Sequence, residues 1–272
     1  MLRMLGILGD PVGHSLSPFL HGEVIRRSKL PFLYAAFHVR ADELPQAIAG
    51  ARALGFRGLN VTVPHKQAVI PLLDWISDEA QAIGAVNTIV FAEGRSFGYN
   101  TDCDGFLAGL DEQGGDLQGK RVLILGAGGA ARAVVRAAQK AGAAQIYIHN
   151  RTLARARELA DVFGVGVLAE LRDVPAHDVV INATTVGMHP RVQESPLPPA
   201  LFRAGVFYAD LVYSPLQTAF LRHARAAGAA TADGLGMLIH QGLAAMKLWA
   251  DCDLPAGLPG ELRALLQARV DG

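Results

Sequence analysis

The sequence predicts an α/β protein made of two successive domains. Three observations carry this prediction. Short apolar runs alternate with segments of helical apolar spacing along most of the chain. A glycine-rich turn follows directly on one of those runs. Finally, 51% of the 272 residues are hydrophobic and 18% charged, enough apolar material for substantial cores.

In the first series Met4–Leu8 and Leu33–Val39 read as strands, as does Gly58–Val63, which Pro64 stops. Between them, Ser17–Ser28 and Asp42–Leu54 carry helical spacing, and a helix is expected to begin beyond Pro64. Asn87–Phe91 and Arg95–Tyr99 form a predicted hairpin around Ala92-Glu93-Gly94, so this domain ends near residue 100. The second series opens with a helix over about Asp102–Gln113 and continues with the strand Arg121–Leu125. Later strands are expected at Ile146–Ile148, Val179–Ile181 and Val206–Ala209, and helices at Ala130–Ala141, Leu153–Phe163 and Leu216–Ala226. Two last helical segments cover Leu235–Ala250 and Glu261–Val270.

The formal charge of +0, from 25 basic and 25 acidic residues, argues against nucleic acid or an anionic membrane as the main partner. The N-terminal apolar run is too short for a secretory signal, and no apolar stretch is long enough to span a bilayer. Cys103 and Cys252 form neither a metal spacing nor a disulfide framework, which favours a reducing, cytoplasmic setting. A small-molecule substrate, and a monomer or homodimer, are expected.

Gly126-Ala127-Gly128-Gly129-Ala130-Ala131 fits G-x-G-x-x-A between an apolar strand and an Ala-rich helix. The first glycine permits the sharp turn, the second admits a pyrophosphate to the backbone, and the small sixth residue lets helix approach strand. Helix-start N–H groups then face the phosphates. The second domain is therefore read as Rossmann-like. After its second strand stands His149-Asn150-Arg151-Thr152-Leu153-Ala154-Arg155, with no carboxylate to accept from ribose hydroxyls. Arg151 and Arg155 suit a 2′-phosphate, favouring NADP(H) over NAD. The competing reading makes Thr152 a helix cap and both arginines solvated.

Four clusters lie outside this turn. His14-Ser15-Leu16-Ser17-Pro18 offers two hydroxyls to a carboxylate, although Ser17 also suits a cap with Pro18 behind it. Asn60-Val61-Thr62-Val63-Pro64-His65-Lys66 lies at a strand end. Of the 25 basic residues 20 are Arg and only five Lys, so Lys66 suggests a role that a guanidinium cannot fill; a surface Lys is the alternative. Asn87, in Gly84-Ala85-Val86-Asn87-Thr88, can both donate to and accept from a hydroxylated ligand. Asp102, in Tyr99-Asn100-Thr101-Asp102, would orient the ammonium if it met Lys66, with capping as its competitor. His14, His21 and His65 lack a shared metal-ligand spacing, so no metal is expected.

Taken together these strings resemble the shikimate dehydrogenase family. HSLSP at 14–18, NVTVPHK at 60–66, GAVNT at 84–88 and YNTDCDG at 99–105 are followed in order by GAGGAAR at 126–132, NRT at 150–152, NATTVGM at 182–188 and DGLGMLIHQ at 233–241. The resemblance implies NADPH-dependent, reversible reduction of 3-dehydroshikimate to shikimate in aromatic amino-acid biosynthesis. It implies a substrate domain over residues 1–101, completed by helices returning over 236–272, and an NADP domain over 102–235. Ser15, Ser17 and Tyr213 would bind the substrate carboxylate, and Thr62, Asn87, Asp102 and Gln241 its hydroxyls. Lys66 would be the acid/base, with Asp102 beside it. Gly126, Ala127, Gly128, Gly129 and Ala130 would hold the pyrophosphate. Asn150, Arg151, Thr152 and Arg155 would hold the adenosine phosphate, with Leu211 and Gly234 by the nicotinamide. The rival readings are an NAD-dependent quinate/shikimate dehydrogenase and a non-catalytic shikimate-binding regulator.

Overall fold

The computed structural model describes residues 2–171 and 176–271. The chain separates into two compact units, Met1–Asp102 with Ile239–Leu266, and Cys103–Leu238 with Gln267–Gly272. The terminal residues Met1 and Gly272 lie outside the described residues.

The first unit holds β1 (Arg3–Gly9), α1 (Ser17–Ser28), β2 (Phe32–His38), α2 (Leu44–Ala53), β3 (Gly58–Val61), β4 (Trp75–Ile76), α3 (Asp78–Ile83), β5 (Thr88–Ala92) and β6 (Arg95–Tyr99). Its sheet runs β2-β1-β3-β5-β6-β4. β1 pairs parallel with β2 and β3, while β5 pairs antiparallel with β3 and β6. β1 and β3 are central strands, and their apolar residues Leu8, Leu59 and Val61 join Ile48, Ile89 and Phe91 in one buried cluster. The β5–β6 turn is Glu93-Gly94, both at positive φ, with Ala92 already paired to Arg95.

The helix α4 (Asp102–Asp111) leads into the second unit, with β7 (Arg121–Leu125), α5 (Gly129–Lys140), β8 (Gln145–His149), α6 (Leu153–Phe163), β9 (Gly166–Val167), β10 (Val179–Asn182), β11 (Phe207–Asp210), α7 (Ala219–Ala226) and β12 (Thr231–Ala232). Two longer helices follow, α8 (Leu235–Ala250) and α9 (Leu258–Asp271). The second sheet is parallel throughout and ordered β12-β11-β10-β7-β8-β9. Numbered within this unit, that is the Rossmann order, with its switch point between β7 and β10. The near-continuous burial of RVLIL and VVIN is what a parallel sheet covered on both faces requires.

Three expectations need correction. Residues 63–69 form consecutive turns, followed by a single 3-10 turn at Ile70–Leu72, rather than a helix; Pro71 has no N–H to give to Gln67 O, so a helix begun there could not continue through it. Helix α7 starts at Ala219 rather than Leu216, since the Thr218 hydroxyl accepts from the Leu221 N–H at 3.2 Å and sets the start. Asp42–Leu54 divides into a single 3-10 turn at Ala41–Glu43 and then α2.

Candidate functional site

In the first unit, polar side chains meet where β3 ends and where β5 and α4 begin. Lys66 donates to Asp102 Oδ2 at 2.5 Å, and both side chains are largely buried, 13% and 6% exposed. The other carboxylate oxygen, Oδ1, accepts from Asn87 Nδ2 at 2.9 Å. Both oxygens are thus engaged, while the Asp102 N–H donates to Asn100 Oδ1 at 2.9 Å, so capping falls to Asn100 rather than to Asp102. Asn87 Oδ1 in turn accepts from the Thr101 N–H at 2.8 Å and the Thr88 hydroxyl at 2.9 Å. The backbone clamps the same residues, with Val86 N–H donating to Lys66 O and Asn87 N–H to Tyr99 O.

This network extends through residues not singled out individually from the sequence. Asn60 Nδ2 donates to Asn87 O and Thr88 Oγ1, both at 3.2 Å, and Asn60 Oδ1 accepts from the Tyr34 hydroxyl at 2.6 Å. Burial holds the Tyr34 phenol well above its ordinary pKa, with Ser17 as a neighbour of that hydroxyl. Asn60, Thr88 and Thr101 lie inside the motif strings; Tyr34 offered no signal beyond a polar tip in an aromatic strand.

Ser17 does not cap α1. It is the first residue of the helix, and its N–H donates to Ser15 Oγ at 3.2 Å, with Pro18 in the opening positions. Thr62 stands one residue past β3, half-buried, its methyl against Gly9. Gln241 lies on α8 next to Gly242, whose Cα packs against Leu20 and His21 of α1. His21 is buried, which lowers its pKa to about 3, and stacks on Tyr34 with ring centroids 4.3 Å apart. His65 is a core residue hydrogen-bonded to Val39 O at 2.7 Å, whereas His14 is exposed. Among the described residues no three His, Cys, Asp or Glu side chains are grouped to hold a metal.

In the second unit Gly126 has φ +116°, and a Cβ there would lie 3.0 Å from Ala183 C and O, so fold sterics alone demand glycine. A Cβ on Gly128 would meet no protein atom within 4 Å. Gly128 is the N-cap of α5 and supplies no side-chain cap, leaving the first-turn N–H groups open to an anion. Beyond β8, Arg151, Thr152 and Arg155 are exposed, and neither arginine has an ion-pair partner among the described residues. Thr152 occupies the N-cap of α6 without a side-chain cap bond, so the capping reading of its hydroxyl is not realised. Asn150 Nδ2 donates to Thr152 O at 2.9 Å. Leu211 and Gly234 line one small recess with Phe106 and Met237, and Tyr213 follows two residues after Leu211. At the ends of β10 and β11, Asn182 and Asp210 are buried and bonded to each other, an association no single motif string revealed.

A Rossmann-ordered sheet with an anion-accepting glycine turn, together with a buried Lys–Asp–Asn cluster, defines the class: a dinucleotide-dependent α/β oxidoreductase. Comparison with known proteins specifies it further. Residues 7–89 match the profile of the shikimate dehydrogenase substrate binding domain, and residues 110–212 that of shikimate / quinate 5-dehydrogenase. Shikimate dehydrogenase (NADP(+)) of Moorella thermoacetica is 47% identical over 266 residues, covering 94% of this chain and 90% of that protein. The enzyme of the same name from Geobacillus kaustophilus is 43% identical, covering 92% and 93%. The crystal structure of Thermus thermophilus shikimate 5-dehydrogenase in complex with NADP(H) and shikimate superposes with a TM-score of 0.90 at 41% identity, covering 98% and 100%. The chain belongs to the shikimate dehydrogenase family. Among the described residues no helix is long and apolar enough to cross a membrane.

Proposed function

We propose that this chain interconverts shikimate and 3-dehydroshikimate with NADP(H), and that in the biosynthetic direction it reduces the ketone for aromatic amino-acid synthesis. The observation that carries the reading is the buried Lys66–Asp102 pair with Asn87 on the second carboxylate oxygen. When bound, NADPH supplies the hydride to the ketone carbon. Lys66 delivers a proton from Nζ to the ketone oxygen as it becomes a hydroxyl, then recovers one from solvent. Asp102 aims the Lys66 ammonium and accepts from a substrate hydroxyl. Asn87, held by Thr88 and Thr101, presents its amide in one fixed orientation. Thr62 and Gln241 are assigned to the remaining hydroxyls, and Ser15 and Ser17, with Tyr213, to the carboxylate.

The second unit fits the cofactor. Gly126 to Ala130 would hold the pyrophosphate, since the open α5 N-terminus and bare Gly128 suit a close anion. Asn150, Arg151, Thr152 and Arg155 would hold the adenosine phosphate, with no carboxylate among them to repel it. Leu211 and Gly234 are assigned to the nicotinamide. Residues 1–101 with 236–272 are assigned to the substrate domain and 102–235 to the cofactor domain, in a cytoplasmic enzyme.

The test follows nicotinamide absorbance with shikimate and NADP+, run beside NAD+ and quinate. Strong turnover with shikimate and NADP+ alone is expected. Comparable rates with NAD+ or quinate would transfer the chain to the quinate/shikimate class, and shikimate binding without turnover would make it a regulator.

A further inference from the structure

The second unit contains a buried polar hub that the proposed catalytic and binding assignments do not use. Asp210 ends β11 and is 2% exposed; Asn182 ends β10, and Thr218 caps α7, both at 0%. Asp210 Oδ1 accepts from the Val212 N–H and from Asn182 Nδ2, each at 2.9 Å, and Oδ2 accepts from the Thr218 hydroxyl at 2.6 Å. Asn182 carries the connection onward: Nδ2 also donates to Val186 O at 3.1 Å, and Oδ1 accepts from the Thr184 N–H and hydroxyl at 3.0 and 2.7 Å. The Leu211 N–H closes the circuit on Asn182 O at 3.0 Å.

Two loops are shaped by this one carboxylate. The loop after β10 packs on the glycine turn, where Ala183 and Thr184 lie 3.0 Å from the position of a Gly126 Cβ. The loop after β11 packs on Gly234, where a Cβ would fall 2.2 Å from Leu211 O. Burial pushes the Asp210 carboxyl up to about 7, and the nearby Asp233 adds to this, against the opposing pull of its Thr218, Val212 and Asn182 bonds. An apolar strand end would avoid that cost, so a carboxylate kept here points to the geometry it imposes.

We propose that Asp210 is a positioning residue for hydride transfer: through Asn182 and Thr218 it fixes the two loops that carry the Leu211 and Gly234 end of the cofactor site. This rests on the functional reading above. It does not extend to the adenosine end of the site, where Arg151 and Arg155 stand beyond β8.

Asp210→Asn replaces an acceptor with an amide donor facing Thr218 or the Val212 and Asn182 donors. Its kcat/KM for NADPH is expected to fall about tenfold, with a larger primary isotope effect from NADPH deuterated at the transferred position, while shikimate affinity and the 2′,5′-ADP inhibition constant stay within about twofold. Thr218→Val removes a single donor and should move the same quantities the same way, and it carries the test if Asp210→Asn fails to fold. Unchanged kinetics in the folded variants would overturn the proposal. A parallel loss of 2′,5′-ADP and shikimate binding would overturn it too, by showing a purely structural role. Failure of the unmutated enzyme to oxidise shikimate with NADP+ would be recognised before any variant is made, and would overturn the functional reading together with this inference.

Discussion

Replacing Gly58 by alanine tests how the C-terminal part of α8 is fastened to the first unit. The indole of Trp249 is fully buried and donates from Nε1 to Ile89 O at 2.9 Å. It lies so close over Gly58 that an added Cβ would sit 2.0 Å from Nε1, 2.3 Å from Cδ1 and 2.5 Å from Ile89 O. Two of these atoms belong to a rigid, enclosed ring and the third to sheet backbone, so no flexible side-chain end can yield. The preceding residue completes the clamp: Arg57 Nε donates to Trp249 O at 2.7 Å and Nη2 to Leu248 O at 3.3 Å, satisfying carbonyls at the end of α8. Overpacking of this kind costs about 1–3 kcal/mol. Displacing the indole also breaks a buried hydrogen bond, which adds about 1–3 kcal/mol. Gly58→Ala is therefore expected to lose roughly 2–6 kcal/mol in urea unfolding followed by fluorescence, with an unchanged m-value. Shikimate affinity should fall with it, because Gln241 rides on the same helix. A variant within about 0.5 kcal/mol of the parent and with full affinity would refute the clamp.

Two further outcomes are expected. Arg151→Ala combined with Arg155→Ala should raise KM for NADP+ about tenfold or more and leave the NAD+ constants unchanged, as each exposed guanidinium would lose a charge-assisted phosphate contact; an equal effect on both cofactors in steady-state kinetics would contradict the assignment. His21, with its pKa lowered from 6.5 to about 3 by burial, stays neutral in the folded chain while the unfolded chain takes up a proton. Stability should thus be full above pH 6.5 and decline on acidification toward 3, by up to about 1.4 kcal/mol per pH unit from this group. His21→Phe, which keeps a ring beside Tyr34, should flatten the pH dependence of the urea midpoint over that range; an unaltered slope would show that other groups set it.

Long elements with strong patterning were legible in the sequence. The limits of α1, α6, α8 and β7 coincide with the predicted segments because apolar periodicity and a flanking Pro, Thr or Gly mark their ends. The two-residue strands β4, β9 and β12 are too short to show any period, and their pairing depends on distant partners. Helix α3 did carry local signals, a Ser77 cap whose Oγ accepts from the Ala80 N–H and Gly84 at its end, but six residues give little periodicity. The candidate site divides in the same way. Lys66, Asn87 and Asp102 could be named because unusual residue types stood at strand and helix ends; their convergence is a tertiary fact. Tyr34, 26 residues before Asn60, joins the network only because β2 and β3 both flank β1. Asn182 opens the NATTVGM string and Asp210 follows an apolar strand, but neither announced the other; their bond arises because β10 and β11 pair in parallel with Asn182 opposite Asp210.

The central claim is that Lys66 supplies the proton at the ketone oxygen, and shikimate oxidation by Lys66→Ala at saturating NADP+ tests it most directly. With shikimate binding verified separately by calorimetry, the variant is expected to bind the substrate and to lose about 10²- to 10⁴-fold in kcat. Turnover close to that of the parent enzyme would show that the proton comes from another group, and the Lys66–Asp102 pair would be left with a structural role.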